Sequence, residues 1–380
     1  MVETKKLIDI ADVFDSLHQT PEYGETGIPM VRVTDVKPGD LSLEGCQFVT
    51  DEVFEKFTAS HVPQKGDIVI SRVGTYGNFS YVAENLKFCL GQNTSIIVPK
   101  INPRYLYYYL RSPFARMQIE SRVVGSTQKT LSLKNIKELE ILCPDRSIQD
   151  KIASFLETID IKIDNNNKIN RNLQEQAEAI YKKLIVDEAD DRWTEGSLSD
   201  IADIIMGQSP KGDTYNENGE GTVFYQGRGE FGARFPTRRL FTSEPKRMAQ
   251  TNDVLMSVRA PVGDFNVAYE SCCIGRGLAA IRSKDNHQSY ILYTTISLQE
   301  ALNMYNGEGT VFGSINKDSL NGILVNIPPL AVMDEFEKAV KPIDEIIRNS
   351  YEEICRLTDL RDAILPRLMS GELDVSDIDI

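Results

Sequence analysis

Two long stretches of heptad-spaced apolar residues limit what this chain can fold into. Within residues 147–186, ten positions taken in alternating steps of four and three are apolar at eight places and asparagine at two. These positions are Ile152, Leu156, Ile159, Ile163, Asn166, Asn170, Leu173, Ala177, Ile180 and Leu184. A seam sustained over more than four repeats predicts a helix that packs along another helix. About 40 residues at about 1.5 Å each would extend about 60 Å, beyond the needs of an ordinary globular helix.

The same pattern returns 184 positions later, after two prolines and before Gly371. Its positions are Phe336, Val340, Ile343, Ile347, Ser350, Ile354, Leu357, Arg361, Ile364 and Leu368. We therefore predict two antiparallel coiled-coil helices, residues 146–187 and 329–371. We expect their pairing to centre on Ile159, Ile163, Asn166, Asn170 and Leu173 in the first helix and on Ile343, Ile347, Ser350, Ile354 and Leu357 in the second. The alternative is two amphipathic helices buried in unrelated cores.

An antiparallel register with Ile152 beside Leu368 makes the numbers of paired residues sum to 520. It places Asn166 opposite Ile354 and Asn170 opposite Ser350. Polar groups would then meet in the middle of the seam, where a buried polar contact opposes slipped registers.

The repeat extends beyond the helices. The sequence LIDIADV at 7–13 returns as LSDIADI at 198–204, and GDIVIS at 66–71 returns as NDVLMS at 252–257. Short runs rich in β-branched residues lie between Gly, Pro, Asn and Asp and predict strands. These runs are 68–70, 95–98, 139–142, 254–257 and 323–327, and short helices are predicted near 106–110 and 290–296. We expect an α/β (α+β) chain with two mixed α/β domains, 1–145 and 188–328, joined by the two long helices as an internal pseudo-twofold repeat.

Composition excludes several classes of protein. A chain of 380 residues without an apolar run of about 18, and without a secretory leader, predicts a soluble cytoplasmic protein. Six cysteines without CxxC spacing and three scattered histidines indicate neither a zinc site nor a disulfide framework. The net charge is −14, and residues 329–380, with their acidic tail 372–380, carry 6 basic and 13 acidic groups. Such a chain is unsuited to strong nonspecific DNA binding alone, but local basic loops stay possible.

Four short patterns imitate enzyme motifs and lack what the chemistry requires. GRGEFG at 227–232 matches GxGxxG, but Phe235 and Pro236 leave no room for the helix that a dinucleotide needs. PD at 144–145 with DIK at 160–162 falls partly on the heptad helix, IPPL at 327–330 lacks the asparagine and aromatic residue of an adenine methyltransferase, and QKT at 128–130 lacks the glycine of a P-loop. We expect no catalytic residues, no metal and no cofactor.

One loop, residues 227–247, is rich in arginine and aromatic residues. Arginine forks and glycines suit contacts with phosphates and guanine edges. The competing interpretation is a solvated basic loop that Glu230 and Glu244 balance.

The whole arrangement resembles the specificity subunits of type I restriction-modification systems. The features that carry the resemblance are MSVRAPVG at 256–263, GSTQ at 125–128, the segment 309–315 and the proline-initiated helices. The resemblance implies a non-catalytic subunit whose two target recognition domains each bind one half of a bipartite double-stranded DNA site. It implies that the helices set the spacer and dock two methyltransferase subunits, and that two restriction subunits translocate and cut DNA. S-adenosylmethionine, ATP and Mg are expected only in those partners.

With DNA as the ligand, we expect contacts from Arg32, Thr34, Arg72, Gln128 and Lys129 in the first domain and from Gln226, Arg228, Arg234, Arg238, Arg239, Arg259 and Arg276 in the second. Two other functions stay open from sequence alone. They are a self-sufficient DNA methyltransferase or nuclease, and a repeat-built scaffold that binds no DNA.

Overall fold

A computed structural model describes residues 3–125, 129–190, 193–307 and 313–375. The chain forms two compact units, one of residues 1–166 with 352–380 and one of residues 167–351. The division falls inside both long helices, whereas the predicted domain limits follow the helix ends. Each unit therefore contains a length of both helices.

Both long helices are present, and the α/β class with two repeated domains is confirmed. The first helix is Arg146–Tyr181, followed by a π-helical stretch Lys182–Asp187, and the second is Leu330–Ser370. The second helix continues through Pro342 and Pro366 without interruption. None of the twenty heptad positions is exposed, because every one is buried or half-buried. No helix in the described part of the chain is long and apolar enough to span a membrane.

The first unit holds a five-stranded sheet and a three-stranded sheet. The larger sheet has the order Ala11–Asp15, Thr94–Pro99, Ile68–Ser71, Phe79–Tyr81 and Gly39–Asp40, and the smaller has Gln47–Val49, Ile28–Val31 and Cys89–Leu90. Glu3–Lys6 pairs with Glu140–Cys143. The short helices are Leu7–Ile10, Asp51–Phe57, Pro103–Arg111, Pro113–Arg122 and Leu133–Lys137, with a 3-10 turn at Val33–Asp35.

The second unit repeats this plan. One sheet has the order Ala202–Met206, Leu278–Ser283, Val254–Ser257 and Phe265–Val267, and the other has Tyr215–Asn216, Leu240–Thr242, Thr222–Tyr225, Cys272–Ile274 and Met248–Ala249. Thr194–Ser197 pairs with Leu324–Ile327. The short helices are Leu198–Ile201, Gln288–Ser297, Gln299–Asn303 and Lys317–Asn321, with 3-10 turns at Gly212–Thr214, Arg228–Glu230 and Met304–Asn306.

In each unit a tyrosine-bearing helix connects the sheet to a long helix. Asn102 caps the first of these helices by accepting a hydrogen bond from Tyr105 N, and Pro103 occupies its first turn. Tyr105 Oη donates to Leu142 O at 2.6 Å, and Tyr108 Oη donates to Asp160 at 2.8 Å. The second unit has the same two contacts, from Tyr290 to Asn326 O at 3.3 Å and from Tyr293 to Asp344 at 3.0 Å. The repeated tyrosines therefore fix each sheet to a long helix.

Helix pairing is antiparallel within each unit. In the first, Ile152 and Leu156 share a core with Leu365 and Leu368, and in the second Ala177 and Tyr181 share one with Phe336 and Val340. Arg361 donates to Asp160 at 2.8 Å and Asn166 donates to Glu353 at 2.7 Å, one position on either side of the expected register.

The polar contacts predicted for the middle of the seam need correction. The Asn166 amide bonds Glu353 rather than facing only Ile354, because a carboxylate accepts the hydrogen bond that an isoleucine cannot. Asn170 Oδ1 is buried without a hydrogen-bond partner in the described part of the chain, so it accepts no hydrogen bond from the Ser350 hydroxyl.

Candidate nucleic-acid interface

In the second unit, four chain segments meet where strands of both sheets end. Ser257 pairs with Leu278, and Val258 N donates to Gly277 O at 2.9 Å. Gly275 N donates to Tyr225 O at 2.8 Å, and Gly207 N donates to Leu278 O at 2.9 Å. Residues 207–209, 226–228, 258–259 and 275–277 thus lie together, and we call them the loop edge of the second unit.

Glycines allow these segments to approach so closely. A Cβ atom on Gly207 would lie 2.1 Å from Gly275 O, and Cβ atoms on Gly275 and Gly277 would lie 2.8 and 2.9 Å from Gln226 O. Side chains at these positions would separate the segments. Arg276, which lies between Gly275 and Gly277, and Gln226, which precedes Gly227, are both exposed.

The loop edge brings together four of the predicted DNA contacts, namely Gln226, Arg228, Arg259 and Arg276, and all four are exposed. Arg228 pairs with Asp264. In the described part of the chain, no carboxylate pairs with Arg259 or Arg276. These two guanidinium groups keep their donors for a ligand.

The first unit has an equivalent loop edge, residues 16–18, 32–34, 72–73 and 91–93. Its backbone bonds are the same ones: Gly91 N donates to Val31 O at 2.8 Å, Arg72 N donates to Asn93 O at 2.9 Å, and Ser16 N donates to Thr94 O at 3.3 Å. The isolated bridge between Val73 and Thr130 corresponds to that between Arg259 and Ser314. Each unit therefore builds one loop edge from the same backbone connections.

Three predicted residues lie at or beside the loop edge of the first unit. Arg32 is half-buried, and Asp35 accepts from its Nε at 3.0 Å and its Nη2 at 3.1 Å. Thr34 is exposed, and Lys129 Nζ lies 3.5 Å from Tyr76 Oη. Gln128 lies outside the described residues.

The sequence prediction missed Gln92, which is exposed and follows Gly91. A Cβ on Gly91 would lie 3.3 Å from Arg32 Cγ, so the Arg32 stem rests against this glycine. The available signal was the 184-residue offset, which aligns Gly91-Gln92 with Gly275-Arg276.

Two of the arginines that were predicted to contact DNA form ion pairs within their own units. The Arg72 guanidinium is 11% exposed and bonds Asp15 and Leu131 O. Arg234 is also 11% exposed, and its Nη2 lies 2.5 Å from Asp344 Oδ1. Burial and ion pairing favour a role in positioning the loops over direct contact with DNA.

Arg238 and Arg239 are exposed but paired. Arg238 lies 2.5 Å from Glu270, and Arg239 lies 3.1 Å from Glu217 and 2.5 Å from the buried Glu230. Glu230 therefore offsets the charge of an arginine in this loop, as the competing interpretation of the sequence expected. The GxGxxG match at 227–232 forms a 3-10 turn, Arg228–Glu230, rather than the start of a helix.

Residues 1–175 and 190–356 match the family described as "Type I restriction modification DNA specificity domain". The putative type I restriction enzyme MjaX specificity subunit of Methanocaldococcus jannaschii is 30% identical over 400 residues, which cover 98% of this chain and 94% of the relative. The MjaIX specificity subunit of the same organism is 23% identical, with 99% and 94% covered.

A solved S subunit of a type I restriction-modification system from M. genitalium shares the fold. Its TM-score is 0.61 at 17% identity, with 99% of this chain and 97% of that chain covered. The match to the family over both repeats, together with a relative that spans nearly the whole chain, shows that this chain belongs to the type I restriction-modification DNA specificity family.

Proposed function

We propose that the chain is the sequence-specific DNA recognition subunit of a type I restriction-modification complex, in which each loop edge binds one half of a bipartite target. The observation that carries this proposal is the duplicated loop edge, which the same backbone bonds build in both units. Two equivalent edges are suited to two half-sites, because each presents polar side chains on a rigid sheet end.

The side chains at the two edges have complementary chemistry for DNA. Arg259 and Arg276 can bond phosphates or guanine, and Gln92 and Gln226 can bond adenine. The chain carries a net charge of −14, so its long-range field repels DNA. We therefore infer that tight binding requires partner subunits that hold the chain on the duplex, and the cytoplasm is where such a complex would find its DNA.

The long helices would connect recognition to catalysis. We infer that they set the distance between the half-sites and dock two methyltransferase subunits, which would hold S-adenosylmethionine, while two restriction subunits would use ATP and Mg. Membership of the family supports this role over a self-sufficient methyltransferase or nuclease and over a scaffold without DNA.

Mapping methylated adenines in cells with and without this chain tests the proposal. With the chain and its methyltransferase partner, methylation should concentrate at one two-part sequence, and deletion of the chain should abolish that pattern. Methylation at the same sequence in the deletion strain would overturn the proposed function. As a companion test, the purified chain alone should not transfer methyl groups to DNA.

A further inference from the structure

At the loop edges, two side-chain types occupy two equivalent positions in opposite order. Val31 pairs with Leu90 in parallel, and Tyr225 pairs with Ile274 in the same way. The residue after the first strand of each pair is Arg32 in the first unit and Gln226 in the second. The second residue after the other strand is Gln92 in the first unit and Arg276 in the second. Arginine and glutamine are thus exchanged between the two positions.

The two positions are neighbours in both units because the glycines beside them have no side chains to hold the two segments apart. Gly91, beside Gln92, contacts the Arg32 stem. Gly275 and Gly277, on either side of Arg276, press against the Gln226 carbonyl. An arginine and a glutamine therefore leave each loop edge from adjoining points on the backbone.

These are the side chains that form bidentate hydrogen bonds with purine edges in the major groove. Arginine pairs with O6 and N7 of guanine, and glutamine pairs with N6 and N7 of adenine. Asp35 occupies two N–H groups of Arg32, which leaves three of its five donors and a fixed orientation. Gln92 Oε1 accepts a hydrogen bond from Thr20 at 3.3 Å, and no described residue bonds its amide NH2.

Other equivalent positions at the loop edges do not show this exchange. Position 73 is valine where position 259 is arginine, so an arginine there is matched by an apolar residue. Arg72 is engaged by Asp15, and its equivalent is the buried Val258. At 32 with 92, and at 226 with 276, side chains suited to purine edges lie next to each other at equivalent positions of both units.

We propose that residues 32 and 92 in the first unit, and 226 and 276 in the second, form the base-contacting pair of each unit, with Gln92 a specificity-determining residue. The inference rests on the proposed function and assigns the positions that would carry it. Because the order of arginine and glutamine is reversed, the guanine and adenine contacts come from exchanged strand ends in the two units.

The test uses the complex of the full chain with its methyltransferase subunits and a duplex library in which both half-sites of the wild-type target are randomised. The double variant Gln226→Arg/Arg276→Gln conserves charge and exchanges two exposed side chains. It should change base preference by about 5- to 100-fold at one or two positions of one half-site. Gln92→Ala should relax one position of the other half-site, with each variant leaving the opposite half-site within twofold of wild type.

The matched control is Lys284→Gln/Gln250→Lys, which exchanges a cation and an amide in the same unit. Both residues lie beyond the opposite strand ends. Lys284 follows Leu278–Ser283, which begins at the loop edge, and Gln250 precedes Val254–Ser257, which ends there. This control should keep the wild-type preferences.

Unchanged preferences in a folded Gln226→Arg/Arg276→Gln complex would overturn the pairing, as would equal weakening at every sequence. If the double variant does not fold, Gln92→Ala and Arg276→Gln decide the matter singly, because both change exposed side chains. A wild-type complex without any sequence preference would instead refute the proposed function. A wild-type preference that none of these variants alters refutes only the assignment of the pair.

Discussion

Arg234 Nη2 lies 2.5 Å from Asp344 Oδ1, and this contact ties the arginine-rich loop 227–247 to the second long helix. The Tyr293 hydroxyl donates to the same carboxylate at 3.0 Å, and its ring lies 5.6 Å from the guanidinium of Arg234. One aspartate thus holds the loop, the tyrosine-bearing helix and the long helix of the second unit together. In the first unit Asp160 accepts from Tyr108 and from Arg361.

Replacing Asp344 with Asn should destabilise the second unit by about 2–4 kcal/mol, because it leaves the largely buried guanidinium of Arg234 without its carboxylate partner. Denaturant unfolding of the full chain measures the loss. Arg238→Ala is the control: its pair with Glu270 is about half exposed, and its removal should cost at most about 1 kcal/mol. Equal effects of the two substitutions would contradict the role of Asp344.

The position equivalent to Arg259 in the first unit is the uncharged Val73, so Arg259 is not part of the exchanged arginine–glutamine pair. We therefore expect Arg259 to contact DNA phosphate. Arg259→Ala should weaken binding of the assembled complex to all sequences alike and lower the salt slope by about 1. Affinities at several salt concentrations give that slope. Lys284→Ala, at the opposite strand ends, should leave the slope unchanged, and a sequence-dependent loss for Arg259→Ala would assign it to a base instead.

Each unit should recognise its half-site independently of the other unit, because each has its own loop edge. Replacing residues 1–144 with the corresponding domain of another family member should change one half-site and retain the other. Mapping of methylated adenines for the hybrid measures both halves together. A change in both half-sites would argue against two separate DNA-contacting units.

His287 provides a pH-dependent contact in the second unit. Its Nε2 lies 2.9 Å from Asp334, and its Nδ1 lies 3.1 Å from Asp285. Burial by itself lowers the pKa of His287, but its interactions with Asp334 and Asp285 outweigh that effect and raise the pKa above its ordinary value. The stabilisation is therefore complete below about pH 6.5 and is lost as the pH rises through the raised pKa.

Relative to His287→Gln, the wild-type chain should be more stable at pH 6 by at most about 1 kcal/mol, or about 2–4 °C in melting temperature. That advantage should shrink by pH 9, and thermal unfolding of both proteins across this range measures it. A difference that grows with pH would mean that the neutral imidazole makes the contact.

Lengthening both long helices by one heptad, beside Asn166 and beside Ile354, tests whether they set the spacer. The insertion preserves the seam and adds about 10.5 Å to each helix, close to three base pairs. It also changes the rotational phase of the half-sites by roughly 100°. The complex should lose its original site in binding assays with duplexes of varied spacer. Undiminished affinity for the original spacing would show that the helices do not determine it.

The long helices and five of the strands follow from local sequence patterns, and the structure confirms them. A strict 3.5 period identifies Arg146–Tyr181 and Leu330–Ser370, and the β-branched runs identify strands such as Ile68–Ser71 and Val254–Ser257. The engagement of Arg72 and Arg234 could not be predicted, because their carboxylate partners lie 57 and 110 residues away in sequence. Gln92 was missed because the 184-residue offset was not applied to it, although that offset aligns Gly91-Gln92 with Gly275-Arg276.

The division of the chain affects how the protein is made. The second unit, residues 167–351, is one continuous segment, so all of it is synthesised before residues 352–375. The first unit completes its core with Leu365, Leu368, Met369 and Val375, which are synthesised after the whole second unit. The core of the first unit therefore stays incomplete until residues 352–375 have been synthesised. A premature stop near residue 351 would spare the later-made unit and leave the earlier-made one without its closing layer.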